Sequence, residues 1–178
     1  MSPLESGLQI VTGASSGIGR SLARRLADAG APVAVLARRL DLLEELAGEV
    51  ERAGGRALPL CCDVTDRAAV ADAVRRAEAW GGPTARLVAN AGGTAGKAQG
   101  AFDPEQLRRC IELNLMGASH SIEAVLPGMI ERGRGHLVAT SSLAAARGLP
   151  GSAAYSAAKA ALTTFLEALR LELRGTGV

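Results

Sequence analysis

The sequence has very few aromatic residues. They make up 2% of its 178 residues, and they include one tryptophan and one tyrosine. A core with so few rings must be filled by Leu, Val, Ile and Ala, which suits a parallel sheet packed against helices. Glycine is abundant instead, with 22 residues, about twice the ordinary share of roughly 7%. The single tyrosine, Tyr155, is therefore conspicuous.

Cysteine, one-sided charge and long apolar runs are also scarce. Cys61, Cys62 and Cys110 show no CxxC spacing and no pairing with histidine, which disfavours metal sites and disulfide scaffolds. A reduced, cytoplasmic compartment fits such cysteines best. The net charge of +2 lacks the clustered basic face of a nucleic-acid-binding protein. Residues 1–7 do not resemble a signal peptide, and no apolar run approaches the roughly 18 residues that span a membrane.

The sequence does contain a regular alternation of strand-length apolar runs and stretches with helical period. Strands are predicted at residues 8–11, 32–37, 57–61, 86–89 and 135–140. Helices are predicted at residues 18–29, 40–53, 66–80 with Thr65 as cap, 103–132 with a kink at Pro127, and 151–174. This alternation predicts a single α/β domain over residues 1–178, with a doubly wound, Rossmann-like parallel sheet of about five strands.

A glycine-rich octet lies between the first predicted strand and the first predicted helix. It reads Thr12-Gly13-Ala14-Ser15-Ser16-Gly17-Ile18-Gly19. Glycines allow a tight turn and a close backbone approach, and a helix N-terminus offers free N–H groups and a positive dipole end. The octet therefore predicts a site for the pyrophosphate of a dinucleotide. The alternative is a plain glycine-rich turn between strand and helix.

The end of the second strand bears on the choice of cofactor. Sites for NAD usually carry an acidic residue about 20 residues past the glycines. Here the chain has Arg38 and Arg39 after Ala37, and the first acidic residue is Asp41. Guanidinium forks match phosphate oxygens, so the arginine pair favours NADP over NAD. The alternative is two solvated arginines in a loop.

Four polar residues carry candidate chemistry: Asn114, Ser142, Tyr155 and Lys159. Tyr155 and Lys159 are i and i+4 on a predicted helix, so they share a face. An ordinary tyrosine has a pKa of about 10 and is a poor base at neutral pH, but a nearby ammonium stabilises a phenolate. Such a pair could exchange a proton with an alcohol or carbonyl oxygen. Ser142, at the end of the fifth strand, could hold that oxygen, although a Tyr-x-x-x-Lys pair alone is usually an ordinary helix surface.

In this order and spacing, the motifs resemble those of the short-chain dehydrogenase/reductase family. The segment Thr12-Gly13-x-x-x-Gly17-x-Gly19 is similar to the cofactor loop of the family. Asp63-Val64 resembles the adenine-contacting pair of the family, and Asn90-Ala91-Gly92 resembles its Asn-Ala-Gly motif. Asn114 resembles the helix asparagine, and Ser142 with Tyr155-x-x-x-Lys159 resembles the catalytic set. The resemblance covers essentially the whole chain.

The resemblance implies a role for each residue. The resemblance implies that Tyr155 is the general acid/base and that Lys159 stabilises its phenolate and binds the nicotinamide ribose. It also implies that Ser142 orients the substrate oxygen and that Asn114 holds a water of the proton relay. The implied cofactor-binding residues are Gly13, Ser15, Ser16, Gly17, Ile18, Gly19, Arg38, Arg39, Asp63, Val64, Asn90, Ala91, Gly92, Tyr155 and Lys159.

The implied function is NADP(H)-dependent hydride transfer to or from a small-molecule hydroxyl or carbonyl substrate. The alternatives are a non-catalytic NADP(H)-binding protein and a family member that catalyses epimerisation or dehydration. The resemblance also implies a homodimer or homotetramer, and the charge balance and the lack of long apolar runs predict no nucleic-acid or membrane partner.

The chain departs from the family pattern after Val178, where relatives begin a sixth strand. We therefore expect a fragment or a truncated relative, in which the fifth strand forms an uncovered sheet edge. His120 and His136 have no metal-ligating neighbour in sequence and are expected to be structural. Cys61 and Cys62 end a strand and are expected to lie in the core.

Overall fold

Strands and helices alternate along the described residues, 7–94 and 103–178, in this computed structural model. The strands are β1 (Leu8–Thr12), β2 (Pro32–Ala37), β3 (Arg56–Cys61), β4 (Thr84–Ala89) and β5 (His136–Ala139). The helices are α1 (Gly17–Asp28), α2 (Leu40–Arg52), α3 (Arg67–Gly81), α4 (Pro104–Ile111), α5 (Gly117–Glu131) and α6 (Ala153–Glu172). A π-helical turn (Glu112–Met116) joins α4 to α5, and a 3₁₀ turn (Leu143–Ala145) follows β5.

The strands form one parallel sheet in the order β3-β2-β1-β4-β5. From β1 the chain builds outward through β2 and β3, and then returns to the other side of β1 with β4 and β5. The predicted doubly wound α/β fold is thus confirmed. In such sheets, ligands bind at the carboxyl ends of the strands, where the strand order reverses. That point lies between β1 and β4.

Side chains on successive strand residues enter opposite faces of the sheet. Ile10 and Leu36 join a buried cluster with residues of α3 and α5. Val11 and Val35 join a second cluster, with residues of α1 and α2. Both faces are covered, which explains why β2 reads as a continuous apolar run.

The predicted element boundaries differ from the observed ones by one or two residues, but two helix features need correction. The N-cap of α3 is Asp66, whose carboxylate accepts from the N–H groups of Ala68 and Ala69. Thr65, the predicted cap, instead donates its hydroxyl to Asp63 Oδ1 at 2.9 Å.

The helix predicted as continuous over residues 103–132 is the second correction. Its start is as expected, because Asp103 caps it and Pro104 takes the first helical position. The π turn then interrupts the helix, and α5 continues through Pro127 to Glu131. The break in α-helical geometry therefore surrounds Asn114, well before the proline.

β5 is an edge of the sheet in the described part of the chain, as expected. It pairs with β4 alone, and none of its residues is fully buried. At its start, the N–H of Gly135 donates to the carbonyl of Gly177 at 3.2 Å. Beyond that contact, a largely apolar groove of about 610 Å³ runs between β5 and α6, lined in part by Leu137, Leu162 and Leu166. None of the helices formed by residues 7–94 and 103–178 has the length and apolarity to cross a membrane.

Candidate cofactor and active site

A cleft of about 370 Å³ opens at the carboxyl ends of the strands. Of the residues predicted from sequence, its wall contains Gly13, Ser15, Ser16, Ile18, Arg38, Arg39, Asp63, Val64, Asn90, Ala91, Gly92, Tyr155 and Lys159. The remaining four lie outside its wall: Gly17 and Gly19 in the first turn of α1, Asn114 in the π turn, and Ser142 before the 3₁₀ turn. The sheet therefore gathers most of the predicted site at one edge.

The loop between β1 and α1 requires its glycines. Gly13 has a φ of +67°, a conformation that L side chains rarely adopt. A Cβ on Gly13 would lie 2.7 Å from the Cα of Ala91, and one on Gly19 would lie 2.5 Å from Asn90 Nδ2. The loop thus packs directly against the segment after β4, and larger residues would push the two apart.

The N-terminus of α1 faces this loop with its N–H groups available. Ser16 is the N-cap residue, but its side chain makes no capping hydrogen bond. Its Oγ accepts from Nη2 of Arg39 at 3.0 Å, and Ser15 Oγ accepts from the same nitrogen at 2.9 Å. The first N–H groups of any helix lack intrahelical partners. A pyrophosphate fits here because it would supply the missing acceptors at the positive end of the helix dipole.

Asn90 connects the glycine-rich loop between β1 and α1 to the residue that follows β5. Its Nδ2 donates to the Thr12 carbonyl at 3.1 Å, and its backbone N–H donates to Thr12 Oγ1 at 3.0 Å. Its Oδ1 accepts from the hydroxyl of Thr140 at 3.1 Å. Sequence reasoning missed Thr140, which also lines the cleft. The available signal was its place directly after β5, at the ligand-binding edge.

Asn114 anchors the loop that carries Gly92. The residue is 1% exposed. Its Nδ2 donates to the carbonyls of Gly93 and Cys110 at 2.8 and 2.9 Å, and its Oδ1 accepts from the N–H of Gly93 at 3.1 Å. A Cβ on Gly92 would lie 2.7 Å from that Oδ1. The side-chain amide is thus engaged with backbone, and its place in a water relay stays a prediction.

Tyr155 and Lys159 enter the cleft from successive turns of α6. The ammonium of Lys159 lies 5.8 Å from the centroid of the Tyr155 ring. It donates to the carbonyl of Thr140 at 2.7 Å. Lys159 is 3% exposed, and burial lowers its pKa below the usual lysine value. A buried cation thus stands beside a phenol at the mouth of the cofactor cleft.

Ser142 is the N-cap of the 3₁₀ turn that packs against α6. Its Oγ accepts from the N–H of Ala144 at 3.1 Å, which leaves its hydroxyl proton free to donate. The neighbouring Ser141 shares a 2.7 Å hydrogen bond with Thr163 of α6. The turn that presents Ser142 is therefore fastened to the helix that presents Tyr155.

The far end of the cleft is formed by Asp63 and Val64. His120 Nδ1 lies 3.1 Å from the Val64 carbonyl, and a Cβ on Gly117 would lie 2.6 Å from Val64 Cγ2. The expectation that His120 is structural agrees with this contact. His136 lies 3.1 Å from Nε of Arg86, and its pKa is lowered by burial and by that guanidinium.

The two adjacent cysteines differ, which corrects the expectation that both lie in the core. Cys61 is exposed and its Sγ contacts the Arg38 carbonyl at 3.4 Å, because β3 is the other edge of the sheet. Cys62 is buried and lines the cleft. Burial raises the pKa of the Cys62 thiol to about 11, and Asp63 and Cys61 add to the shift.

Arg38 and Arg39 follow β2 but are engaged differently. Arg39 bonds Ser15 and Ser16, as described above. The guanidinium of Arg38 is exposed at the cleft and has no hydrogen-bond or ion-pair partner among the residues that the structure describes. It is free to meet a ligand anion.

Comparison with known proteins gives the same class as the geometry. Residues 8–178 match the short chain dehydrogenase family. The chain therefore belongs to the short-chain dehydrogenase/reductase family of NAD(P)-dependent oxidoreductases.

Among individual proteins, the chain is 49% identical over 170 residues to an uncharacterized oxidoreductase of Myxococcus xanthus, covering 95% of this chain and 67% of that protein. It superimposes on 7α-hydroxysteroid dehydrogenase with NADH and 7-oxo glycochenodeoxycholic acid (TM-score 0.92, 29% identity, 98% of this chain, 68% of that one). It also superimposes on a variant of actinorhodin polyketide ketoreductase with NADPH (TM-score 0.91, 37% identity, 99% of this chain, 69% of that one). The chain thus spans about two thirds of each of these proteins.

Proposed function

We propose that the protein transfers a hydride between NADP(H) and a hydroxyl or carbonyl carbon of a small molecule, with Tyr155 as general acid/base. The observation that carries this proposal is the placing of Tyr155 and buried Lys159 in the wall of the cleft that holds the glycine loop. The cleft thus combines a dinucleotide site with a proton-exchanging pair.

Within this site, the chain's own residues bind, orient and move a proton. Lys159 stabilises the phenolate form of Tyr155, because an ammonium beside a phenol favours the charged oxygen. Tyr155 then exchanges a proton with the substrate oxygen. The Ser142 hydroxyl, whose oxygen accepts from Ala144 and which donates to no residue in the described part of the chain, can hold that oxygen with its proton. Bound in the cleft, the nicotinamide would supply or accept the hydride.

The choice of NADP over NAD depends on Arg38. The solved neighbours are found with NADPH and with NADH, so they support a nicotinamide cofactor of either kind. The guanidinium of Arg38 at the end of β2 is exposed and has no partner among the described residues. It favours a ligand with an additional phosphate there, since such forks match phosphate oxygens.

The substrate class proposed is a ketone or secondary alcohol. One solved neighbour is named a polyketide ketoreductase and another a hydroxysteroid dehydrogenase. A proton-exchanging pair beside a hydride site suits that chemistry. Cytoplasmic location is part of the proposal and is supported by the free cysteines Cys61, Cys62 and Cys110.

The test separates turnover from binding in two variants. Tyr155→Phe removes only the hydroxyl, so turnover of a ketone panel with NADPH should fall by about 10²–10⁴. Its NADPH affinity, measured by fluorescence, should stay close to that of the parent because the ring remains. Lys159→Ala should damage both turnover and affinity. Near-parental turnover in Tyr155→Phe would refute the catalytic role, and a parent that binds NADPH without turnover would favour the non-catalytic binding protein.

A further inference from the structure

Ser16 has the backbone conformation of a helix N-cap residue, but its side chain makes no capping hydrogen bond. A serine at this position ordinarily turns its Oγ to accept from an N–H two or three residues further on. The backbone of Ser16 is extended, with φ −163° and ψ 171°, yet its side chain makes no such bond. In the described part of the chain, the three other N-cap residues that have an oxygen-bearing side chain and extended backbone all do cap: Asp66, Asp103 and Ser142.

Arg39 accounts for the difference. Its Nη2 donates to Ser16 Oγ at 3.0 Å and to Ser15 Oγ at 2.9 Å, which turns both hydroxyl oxygens toward the end of β2. Arg39 itself occupies the N-cap of α2, so its backbone is held by the β2–α2 junction. No carboxylate pairs with Arg39 within residues 7–94 and 103–178.

We propose that Arg39 is a positioning residue that keeps the N-terminus of α1 open for a pyrophosphate. By holding the Ser16 hydroxyl, it prevents that oxygen from taking the N–H groups of Ile18 and Gly19. A capping hydroxyl and a phosphate oxygen compete for the same donors. This inference rests on the proposed function, because it presupposes a dinucleotide in the cleft.

The two adjacent arginines then have different roles. NADPH and NADH share the pyrophosphate, so Arg39 serves both nucleotides equally. The 2′-phosphate belongs to NADPH alone, and its recognition falls to Arg38, whose guanidinium meets no partner within residues 7–94 and 103–178.

The first experiment titrates the parent, Arg39→Ala and Arg38→Ala with NADPH and with NADH by fluorescence. Arg39→Ala should weaken both nucleotides by the same factor, about tenfold or less, which is the worth of one helix cap. The ratio of the two affinities should stay parental in Arg39→Ala and fall in Arg38→Ala. A loss confined to NADPH in Arg39→Ala would overturn the inference, because Arg39 would then contact the 2′-phosphate itself.

The second experiment uses rescue, which a residue with a merely structural role would not show. Adding Ser16→Ala to Arg39→Ala removes the competing hydroxyl, so affinity for both nucleotides should recover. Adding Ser15→Ala instead is the matched control and should give no recovery, since Ser15 is not the cap residue, and any contact that Ser15 makes with the nucleotide would lower the affinity further. Equal affinity in the two double variants would refute the competition.

The third readout needs no nucleotide. In Arg39→Ala, the released Ser16 hydroxyl should cap α1, so amide hydrogen exchange at Ile18 and Gly19 should become slower. Faster exchange throughout residues 13–19 would mean that Arg39 only holds the loop in place through Ser15 and Ser16, and it would overturn the inference. If exchange at Ile18 and Gly19 becomes slower but the parent protein binds neither nucleotide, the competition by the Ser16 hydroxyl is supported and the proposed function is refuted. Failure of the inference and failure of the proposed function are therefore distinguishable.

Discussion

β2 and β5 belong to one parallel sheet, yet they lie in opposite surroundings. All six residues of β2 are buried, between two neighbouring strands and under helices on both faces. None of the four residues of β5 is buried, and the strand has one neighbour. β2, at whose end the adenosine and phosphates are proposed to bind, is enclosed, whereas β5, which leads to Ser142, depends on β4 and α6. Nucleotide binding and proton transfer should therefore respond to different substitutions.

The largest contrast should appear in the stability of two paired leucines. Leu87 of β4 is fully buried and lies beside Leu137 of β5, which is only half-buried. Leu87→Ala should cost about 2–5 kcal/mol of unfolding free energy, the range for a buried leucine. Leu137→Ala should cost less than half as much, because its cavity opens to the groove. Urea unfolding of both variants checks this, and equal losses would remove the contrast.

A smaller effect, on nucleotide affinity, is expected for Arg38→Ala at the end of the enclosed strand β2. A hydrogen bond to a charged group is worth about 1.5–3 kcal/mol, so NADPH affinity should fall by about tenfold or more. Affinity for NADH should change little, and so should the unfolding midpoint, because the side chain is exposed. Fluorescence titration measures both nucleotides, and equal binding of NADH and NADPH by the parent would disprove the NADP assignment.

The smallest effect concerns the edge at β5. Unpaired strand edges and apolar grooves seek partners, so the chain should self-associate at micromolar concentrations. Replacing Leu137 by Lys places a charge on that edge and should weaken the association. Sedimentation velocity over a range of concentrations measures it, and a well-behaved monomer throughout would contradict the expectation.

The order of strands and helices is predictable because both faces of the sheet are covered. Residues 32–37 form a fully buried strand, and they lie in an uninterrupted apolar run, residues 31–37, that is bounded by Gly30 and Arg38. The candidate site is predictable for a related reason. Parallel strands bring their carboxyl ends to one edge, so motifs that follow different strands meet there.

Contacts that depend on side-chain direction are not predictable in this way. Asp66 and Thr65 are both good cap residues, and the outcome depends on Asp63 taking the Thr65 hydroxyl. The π turn accompanies the contacts between Asn114 and the backbone of Gly93, a segment distant in sequence. No helix propensity or spacing rule contains such information.

The strand order also affects how the chain emerges from the ribosome. β1, β2 and β3 are consecutive in sequence and adjacent in the sheet, so they can associate while the rest is still being synthesised. The other side of β1 must wait for β4, and the cleft gains its last wall only when α6 has left the exit tunnel. A nascent chain of this kind cannot form its complete cofactor site until Lys159 of α6 has been added and released.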